Sequence, residues 1–175
     1  MNDIKVMNHA ADNIRILAAA SVEKDKSGHP GGAMGGADFI VLYSEYLNYD
    51  PQNPTWVGRD RFYLDPGHMA PMLYSQLALI GKYSLEELAQ LRQWGSPTTG
   101  HPEFEVERGV ENTSGPLGQG HTFAVGAAIA AKFLAAKTGN PTFAKETIYA
   151  YISDGGVQEE ISQGAARIAA VLGLD

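Results

Sequence analysis

The chain has no cysteine among its 175 residues, which excludes disulfide bridges, thiolate nucleophiles and cysteine-ligated metal sites. Basic residues are also scarce, since 13 Lys and Arg stand against 20 Asp and Glu and leave a formal net charge of −7. Nucleic-acid backbones and anionic membranes attract basic surfaces. We therefore expect neither nucleic acid nor membrane as a partner.

Long apolar runs are missing too. The longest, residues 123–131, stops at Lys132, well short of the roughly 20 residues that span a bilayer. The polar residues 1–8 lack the apolar core of a signal peptide. The hydrophobic content of 44% is that of a globular protein. Together these features predict a cytoplasmic chain with about one domain.

Hydrophobic spacing predicts an α/β fold with a parallel sheet flanked by helices. Residues 8–24 carry apolar side chains on one helical face, and residues 61–64 and 147–152 are typical of short strands. Further helices are expected over residues 69–80, 84–94, 124–137 and 157–172, the second of them with a capping box that starts at Ser84.

The last strand and helix make two thirds of a β-α-β unit. No residues remain for the parallel strand that should return beside the first. We expect a truncated part of a longer α/β protein or one half of a split enzyme, with a naturally short chain as the remaining alternative. Before this unit, residues 95–120 are rich in glycine and proline and too long for an ordinary connection, which is typical of functional loops.

Three histidines lie in turns, each directly after a glycine: His29, His68 and His101. Glycine lets backbone and imidazole approach a ligand closely, and an imidazole in a loop is well placed to transfer protons or to donate to a phosphate. Solvated turn histidines are the alternative interpretation. Zinc is disfavoured, because no two histidines have the i, i+3 or i, i+4 spacing of ligands on one helix.

Two glycine-rich segments precede predicted helices. Residues 115–120, with the spacing G-x-x-G-x-G, offer free backbone N–H groups to an anion or a ring, although a plain helix start fits as well. Residues 153–156 follow a strand, where open parallel sheets bind ligands. There Asp154 is a natural Mg²⁺ or Ca²⁺ ligand beside glycines that leave room for a diphosphate. Asp154 could also cap the following helix.

Five motifs in this order, spanning nearly the whole chain, resemble the amino-terminal part of transketolase. They are SGHPG (27–31), RDRF leading to GH (59–68), GHPE (100–103), GPLGQG (115–120) and DG (154–155). The resemblance implies that residues 1–175 are the amino-terminal part of a thiamine-diphosphate-binding domain. It also implies an enzyme of the pentose phosphate pathway that transfers a two-carbon ketol unit from a ketose phosphate to an aldose phosphate.

The resemblance also implies how the cofactor is held. Asp154 matches the ligand of a divalent metal, Mg²⁺ or Ca²⁺, and His68 matches a donor to thiamine diphosphate. The positions that match contacts to the cofactor's rings and diphosphate are Gly115, Pro116, Leu117 and Gly155.

His29 and His101 match positions that face the sugar, where imidazoles move protons on substrate hydroxyls. Glu159 matches an acidic residue at the subunit contact. The implied partners are sugar phosphates, together with a second copy in a homodimer or a carboxy-terminal partner chain.

The sequence departs from the family pattern at several positions. Ser153 and Glu160 stand where glycine is usual, and Met69 stands where a small residue is expected. The asparagine that completes the metal shell is absent, since no Asn follows Asn140. We therefore expect the isolated chain to be inactive.

Three alternatives stay open. Two are sibling thiamine enzymes, dihydroxyacetone synthase and deoxyxylulose-phosphate synthase, although the GHPE motif at residues 100–103 argues against the second. The third is a non-catalytic amino-terminal half that binds a separate carboxy-terminal chain.

Overall fold

A computed structural model describes residues 2–174. These residues form two compact units. The first contains the residues up to 47 together with 68–103, and the second contains residues 48–67 together with those from 104 onwards. Among the described residues, no helix is both long and apolar enough to cross a bilayer.

The first unit is helical. Its helices are α1 (Ile4–Asp25), α2 (Pro30–Gly35), α3 (Ala70–Leu79) and α4 (Leu85–Leu88). Helix α1 begins before the predicted residue 8, because the Asp3 side chain accepts a hydrogen bond from the Lys5 amide and caps the helix. Both α2 and α3 pack against α1.

Helix α2 begins inside the segment that the sequence predicts to be a loop. Pro30 takes the first helical position, where its fixed φ favours a helix and its missing N–H costs nothing. The apolar residues that follow do not form one helix. They continue as a 3₁₀ turn, Ala37–Phe39, and a π-helical turn, Leu42–Tyr46.

Helices α3 and α4 lie where the sequence predicts helices. Helix α3 is buried for most of its length and contributes Met72 and Leu77 to the core. The capping box is confirmed, because Ser84 and Glu87 each accept a hydrogen bond from the other's amide. The prediction that this helix reaches residue 94 is wrong: it ends at Leu88 and turns follow.

The second unit contains a two-stranded parallel sheet. Strands β1 (Arg61–Leu64) and β2 (Ile148–Tyr151) pair in parallel, with Arg61 opposite Ile148 and Leu64 opposite Tyr151. Both strands lie within the predicted segments, and the α/β class with a parallel sheet is confirmed.

Three helices accompany this sheet. Helix α5 (Gln119–Thr138) packs on both strands and on α7 (Glu160–Leu172), and the short α6 (Asp154–Gln158) precedes α7. The single helix expected over residues 157–172 is therefore wrong. Glu159 has the extended backbone angles φ −69° and ψ 131°, which interrupt the helix and start a new one.

Buried ion pairs support the second unit beside the strands. Arg59 donates from two nitrogens to the Glu111 carboxylate, and both side chains are almost fully buried. Asp60 accepts hydrogen bonds at 2.8 Å from the amides of Asn48 and Thr147, which attaches both segments to the start of β1. Because buried charges need partners, these contacts fix the strand against its neighbours.

Candidate functional site

The first unit brings the turn histidines together. His29 directly precedes α2, and His68 lies in the 3₁₀ turn Gly67–Met69. The two imidazole rings are 5.0 Å apart between centroids and tilted by 53°. We call His29, His68 and His101 the histidine cluster.

His101 joins this cluster because Arg92 contacts both Ser27, two residues before His29, and Gly100, directly before His101. Partial burial, the Arg92 guanidinium and the charge of His29 all lower the pKa of His101, in that order of size. Burial and a like charge both disfavour the protonated ring. The lowered pKa favours the neutral ring of His101, which is able to accept a proton.

Short hydrogen bonds hold the loop that carries His101. Thr99 Oγ1 donates to the His101 carbonyl at 2.6 Å and lies 3.0 Å from the Tyr74 hydroxyl on α3. Arg92 Nη1 donates to Ser27 Oγ at 2.8 Å, two residues before His29. Side chains from the helical core and from a turn thus orient the loops of the cluster.

Met69, which departs from the family pattern, is accommodated by glycines. It is buried, and a methyl group added to Gly32 would lie 2.9 Å from its Sδ. A methyl group on Gly36 would lie 2.9 Å from its Cε. The two glycines provide the space that this larger side chain occupies.

The second unit brings its two glycine-rich motifs together. A methyl group added to Gly155 would lie 3.0 Å from Leu117 Cδ1. One added to Gly118, whose φ is +86°, would lie 3.0 Å from the Cβ of Glu159. The start of α5 therefore packs closely against α6 and the residue that follows it, and larger side chains at these glycines would separate them.

Asp65 connects these motifs to the sheet. It follows β1, is fully buried, and accepts hydrogen bonds at 3.1 Å from the amides of Gly118 and His121 at the start of α5. A methyl group on Gly120 would lie 2.4 Å from Asp65 Cα, and one on Gly156 would lie 2.4 Å from Asp65 Oδ2. A carboxylate at a helix amino terminus also interacts favourably with the helix dipole.

Asp154 is the first residue of α6, and its side chain is exposed. The proposal that Asp154 caps the helix is wrong, because Ser153 is the N-cap and its Oγ accepts from the Gly156 amide at 3.1 Å. Across residues 2–174 no group of three or more His, Asp or Glu side chains is arranged to hold a metal ion.

Asp65, Arg92 and Ser114 were not identified from the sequence. Ser114 Oγ is buried, without a hydrogen-bond partner in the described residues, and next to Gly115. Of these three residues, only Asp65 has a recognisable sequence context, because it stands between a predicted strand and a Pro-Gly turn. No local pattern in the sequence marks Arg92 or Ser114.

A groove of about 540 Å³ lies elsewhere in the second unit. Tyr63, Phe104, Glu111 and Phe123 line it, and none of them is a predicted site residue. The phenylalanines are 63% and 50% exposed, so the groove is open and largely apolar.

Comparison with known proteins identifies one family. The family model described as "Transketolase, thiamine diphosphate binding domain" matches residues 6–175. The chain is 46% identical over 177 residues to "Transketolase-1, chloroplastic" of Arabidopsis thaliana, covering 98% of this chain and 24% of the relative. It therefore spans about a quarter of the length of the curated relatives it matches.

Solved structures agree. Transketolase from Leishmania mexicana superposes with a TM-score of 0.88 at 43% identity, over 93% of this chain and 25% of that one. Transketolase from Pichia stipitis in complex with sedoheptulose-7-phosphate has a TM-score of 0.82 at 38% identity, over 94% of this chain and 25% of that one.

Proposed function

The chain belongs to the transketolase family, and from this premise we propose that it forms the amino-terminal, thiamine-diphosphate-binding part of a transketolase. The enzyme transfers a two-carbon ketol unit from a ketose phosphate to an aldose phosphate. The observation that carries the proposal is the match of residues 6–175 to the family's thiamine diphosphate-binding domain. The complex of the Pichia stipitis relative with sedoheptulose-7-phosphate supports sugar phosphates as substrates.

The residues of the second unit fit a thiamine diphosphate cofactor. Ser114 Oγ is a buried polar atom that lacks a hydrogen-bond partner within the described chain, directly before Gly115. Buried hydroxyls without a partner are costly, so a ligand that bonds to this oxygen would stabilise it. Gly155 packs on Leu117, so the two motifs to which this proposal assigns the cofactor are neighbours.

Each motif has an assigned role. When bound, thiamine diphosphate supplies the nucleophilic carbon that attacks the ketose carbonyl. Leu117 would give apolar support to its rings, and Gly115 and Pro116 would belong to the segment that contacts them. Gly155 leaves room for the diphosphate, and Asp154 holds a divalent cation, Mg²⁺ or Ca²⁺, that neutralises it.

The histidine cluster handles protons. His68 donates a hydrogen bond to the cofactor, whereas His29 and His101 face the sugar and move protons on its hydroxyls. The lowered pKa of His101 supports its role as a base, because a neutral ring accepts a proton.

The same proposal includes a metabolic pathway, a cellular compartment and a subunit partner. The enzyme acts in the pentose phosphate pathway of carbohydrate metabolism in the cytoplasm. It is a homodimer or pairs with a carboxy-terminal chain, and Glu159 lies at that subunit contact.

Two measurements test the proposal on the protein as expressed from its own reading frame. Thiamine diphosphate with Mg²⁺ is titrated calorimetrically, and ketol transfer is followed from a ketose phosphate to an aldose phosphate. We expect cofactor binding that requires the metal, and transfer that requires both. Cofactor binding that is unchanged in Asp154→Ala would remove the metal assignment. A cofactor-loaded protein without transfer would overturn the proposed reaction.

A further inference from the structure

Arg92 has an unusual backbone. Its φ is +60°, in the left-handed region, and Lys26 is the other non-glycine residue with positive φ in the described chain. Lys26 ends helix α1, where this conformation is common. Arg92 ends no helix, because α4 stops at Leu88. A non-glycine residue held in this region costs on the order of 1–3 kcal/mol and is found preferentially at functional sites.

The strained backbone positions Arg92 next to both loops that carry His29 and His101. Its amide donates to the Thr98 carbonyl at 2.9 Å, while Thr98 is fully buried and donates from Oγ1 to the Glu87 carbonyl at 2.7 Å. Arg92 is thereby anchored to the segment that leads to His101.

The side chain extends the same connection. Its Nη1 donates to Ser27 Oγ at 2.8 Å, two residues before His29. Its Nε would lie 3.1 Å from a methyl group on Gly100, so the arginine packs on the residue directly before His101. One side chain therefore contacts both loops of the histidine cluster that face the sugar in the proposed function.

The neighbouring Gln93 provides a contrast. Its Nε2 donates to Asp25 Oδ1 at 2.8 Å, so it also ties this turn to the end of α1. Its hydrogen bonds go to Asp25 and to the Leu91 carbonyl, neither of which is in the loops of the cluster. Gln93 therefore resembles Arg92 in connecting this turn to another segment by a side-chain hydrogen bond. Unlike Arg92, it does not contact the loops that carry His29 and His101.

We propose that Arg92 is a positioning residue, which holds the loops of His29 and His101 so that both imidazoles act on the same substrate. This inference rests on the proposed function. Arg92 does not itself touch the reacting atoms. The charges of the Arg92 guanidinium and of His29 both lower the pKa of His101 and so favour its neutral ring.

The test compares Arg92→Gly, Arg92→Lys and the control Gln93→Ala in the protein as expressed from its own reading frame. Arg92→Gly relieves the backbone strain and removes the guanidinium. We expect kcat to fall about 10- to 100-fold through misplacement of the histidines, with an unchanged or higher Tm and unchanged cofactor affinity. Gln93→Ala should alter kcat by less than about twofold.

The histidine pKa values provide a second measurement that needs no activity. Removing a positive charge should raise the pKa of His101 in Arg92→Gly, measured by NMR titration of the ring protons. The acid limb of kcat/KM should then move to higher pH. Arg92→Lys keeps the charge, so it should retain the wild-type pKa while kcat is only partly restored.

The outcomes separate the two proposals. An active wild type with unchanged kcat and an unchanged His101 pKa in Arg92→Gly would overturn the positioning role. A lower kcat that only follows a lower Tm would also overturn it, in favour of a structural role. A wild-type protein without ketol transfer would overturn the proposed function and the positioning role with it. In that case, a raised pKa of His101 in Arg92→Gly would show only that Arg92 lies close to His101.

Discussion

The two units hold their candidate residues in place by different means. In the first unit, the exposed imidazoles of His29 and His101 lie on short loops that a few side-chain hydrogen bonds orient, such as that from Arg92 to Ser27. In the second unit, glycines of two motifs pack tightly around the fully buried carboxylate of Asp65. The difference implies that substitutions in the first region affect chemistry more than stability, and that those in the second affect stability more than chemistry.

The largest expected effect concerns the histidines. His29→Ala and His101→Ala should each lower kcat about 100-fold or more, because each removes an imidazole to which the proposed function assigns proton transfer. Both rings are exposed, so Tm and cofactor affinity should change little. Steady-state kinetics, cofactor titration and thermal unfolding check this. The control is His9→Ala on the exposed face of α1. A large loss of Tm in the site variants would break the comparison between the units.

Asp65→Ala should mainly lower stability, whereas the histidine variants should mainly lower kcat. It leaves the buried amide of Gly118 and the partly buried amide of His121 without their charged acceptor, so we expect the free energy of unfolding to fall by about 3 kcal/mol. Chemical denaturation measures this. Asp60→Ala is the matched control, because Asp60 also accepts from two amides but not at α5.

The Asp60 control separates stability from binding. Both variants should lose stability, yet Asp65→Ala alone should weaken thiamine diphosphate binding to the folded protein, since only Asp65 holds the loop before α5. Equal cofactor affinities in the two variants would contradict a special role for Asp65.

Alanine substitutions at two glycines of α5 should change the free energy of unfolding by less, and in opposite directions from each other. Gly120→Ala would place a methyl group 2.4 Å from Asp65 Cα, and overpacking against backbone should cost about 2 kcal/mol. Gly126→Ala meets nothing within 4 Å and should stabilise the helix by up to about 1 kcal/mol. Unfolding curves of the two variants check the sign. Equal changes in unfolding free energy for the two variants would contradict the close approach of Gly120 to Asp65.

The smallest effect lies in the first unit, away from its histidines. Ser84→Ala removes the cap of α4 and should cost about 1 kcal/mol of unfolding free energy. It should leave kcat unchanged, the reverse of the histidine variants. Ser84→Asp, which keeps a capping oxygen, serves as the control. A fall in kcat with Ser84→Ala would show that stability and chemistry are coupled in this unit.

Sequence reasoning identified elements more accurately than their ends. Both strands, the capping box at Ser84 and the position of α3 were predicted, because each depends on residues close together in the chain. The break at Glu159 was missed, because a run of helix-compatible residues does not reveal where the backbone turns extended.

The same division holds for the candidate site. The turn histidines and the two glycine motifs were visible as residue types in turns, whereas Arg92 was not, because its importance comes from bonds to Ser27 and Thr98. The proximity of Leu117 to Gly155 likewise depends on a strand and a helix that separate them in sequence.

The amino-acid sequence by itself determined where both strands, helix α3 and the capping box at Ser84 lie, since local spacing and turn chemistry act over a few residues. Only the tertiary structure decided which of the glycine-rich turns meet. Asp65 acquires its role when the chain returns 53 residues later to present the Gly118 amide. Such a contact depends on the packing of whole elements, and burial then makes that carboxylate costly to remove.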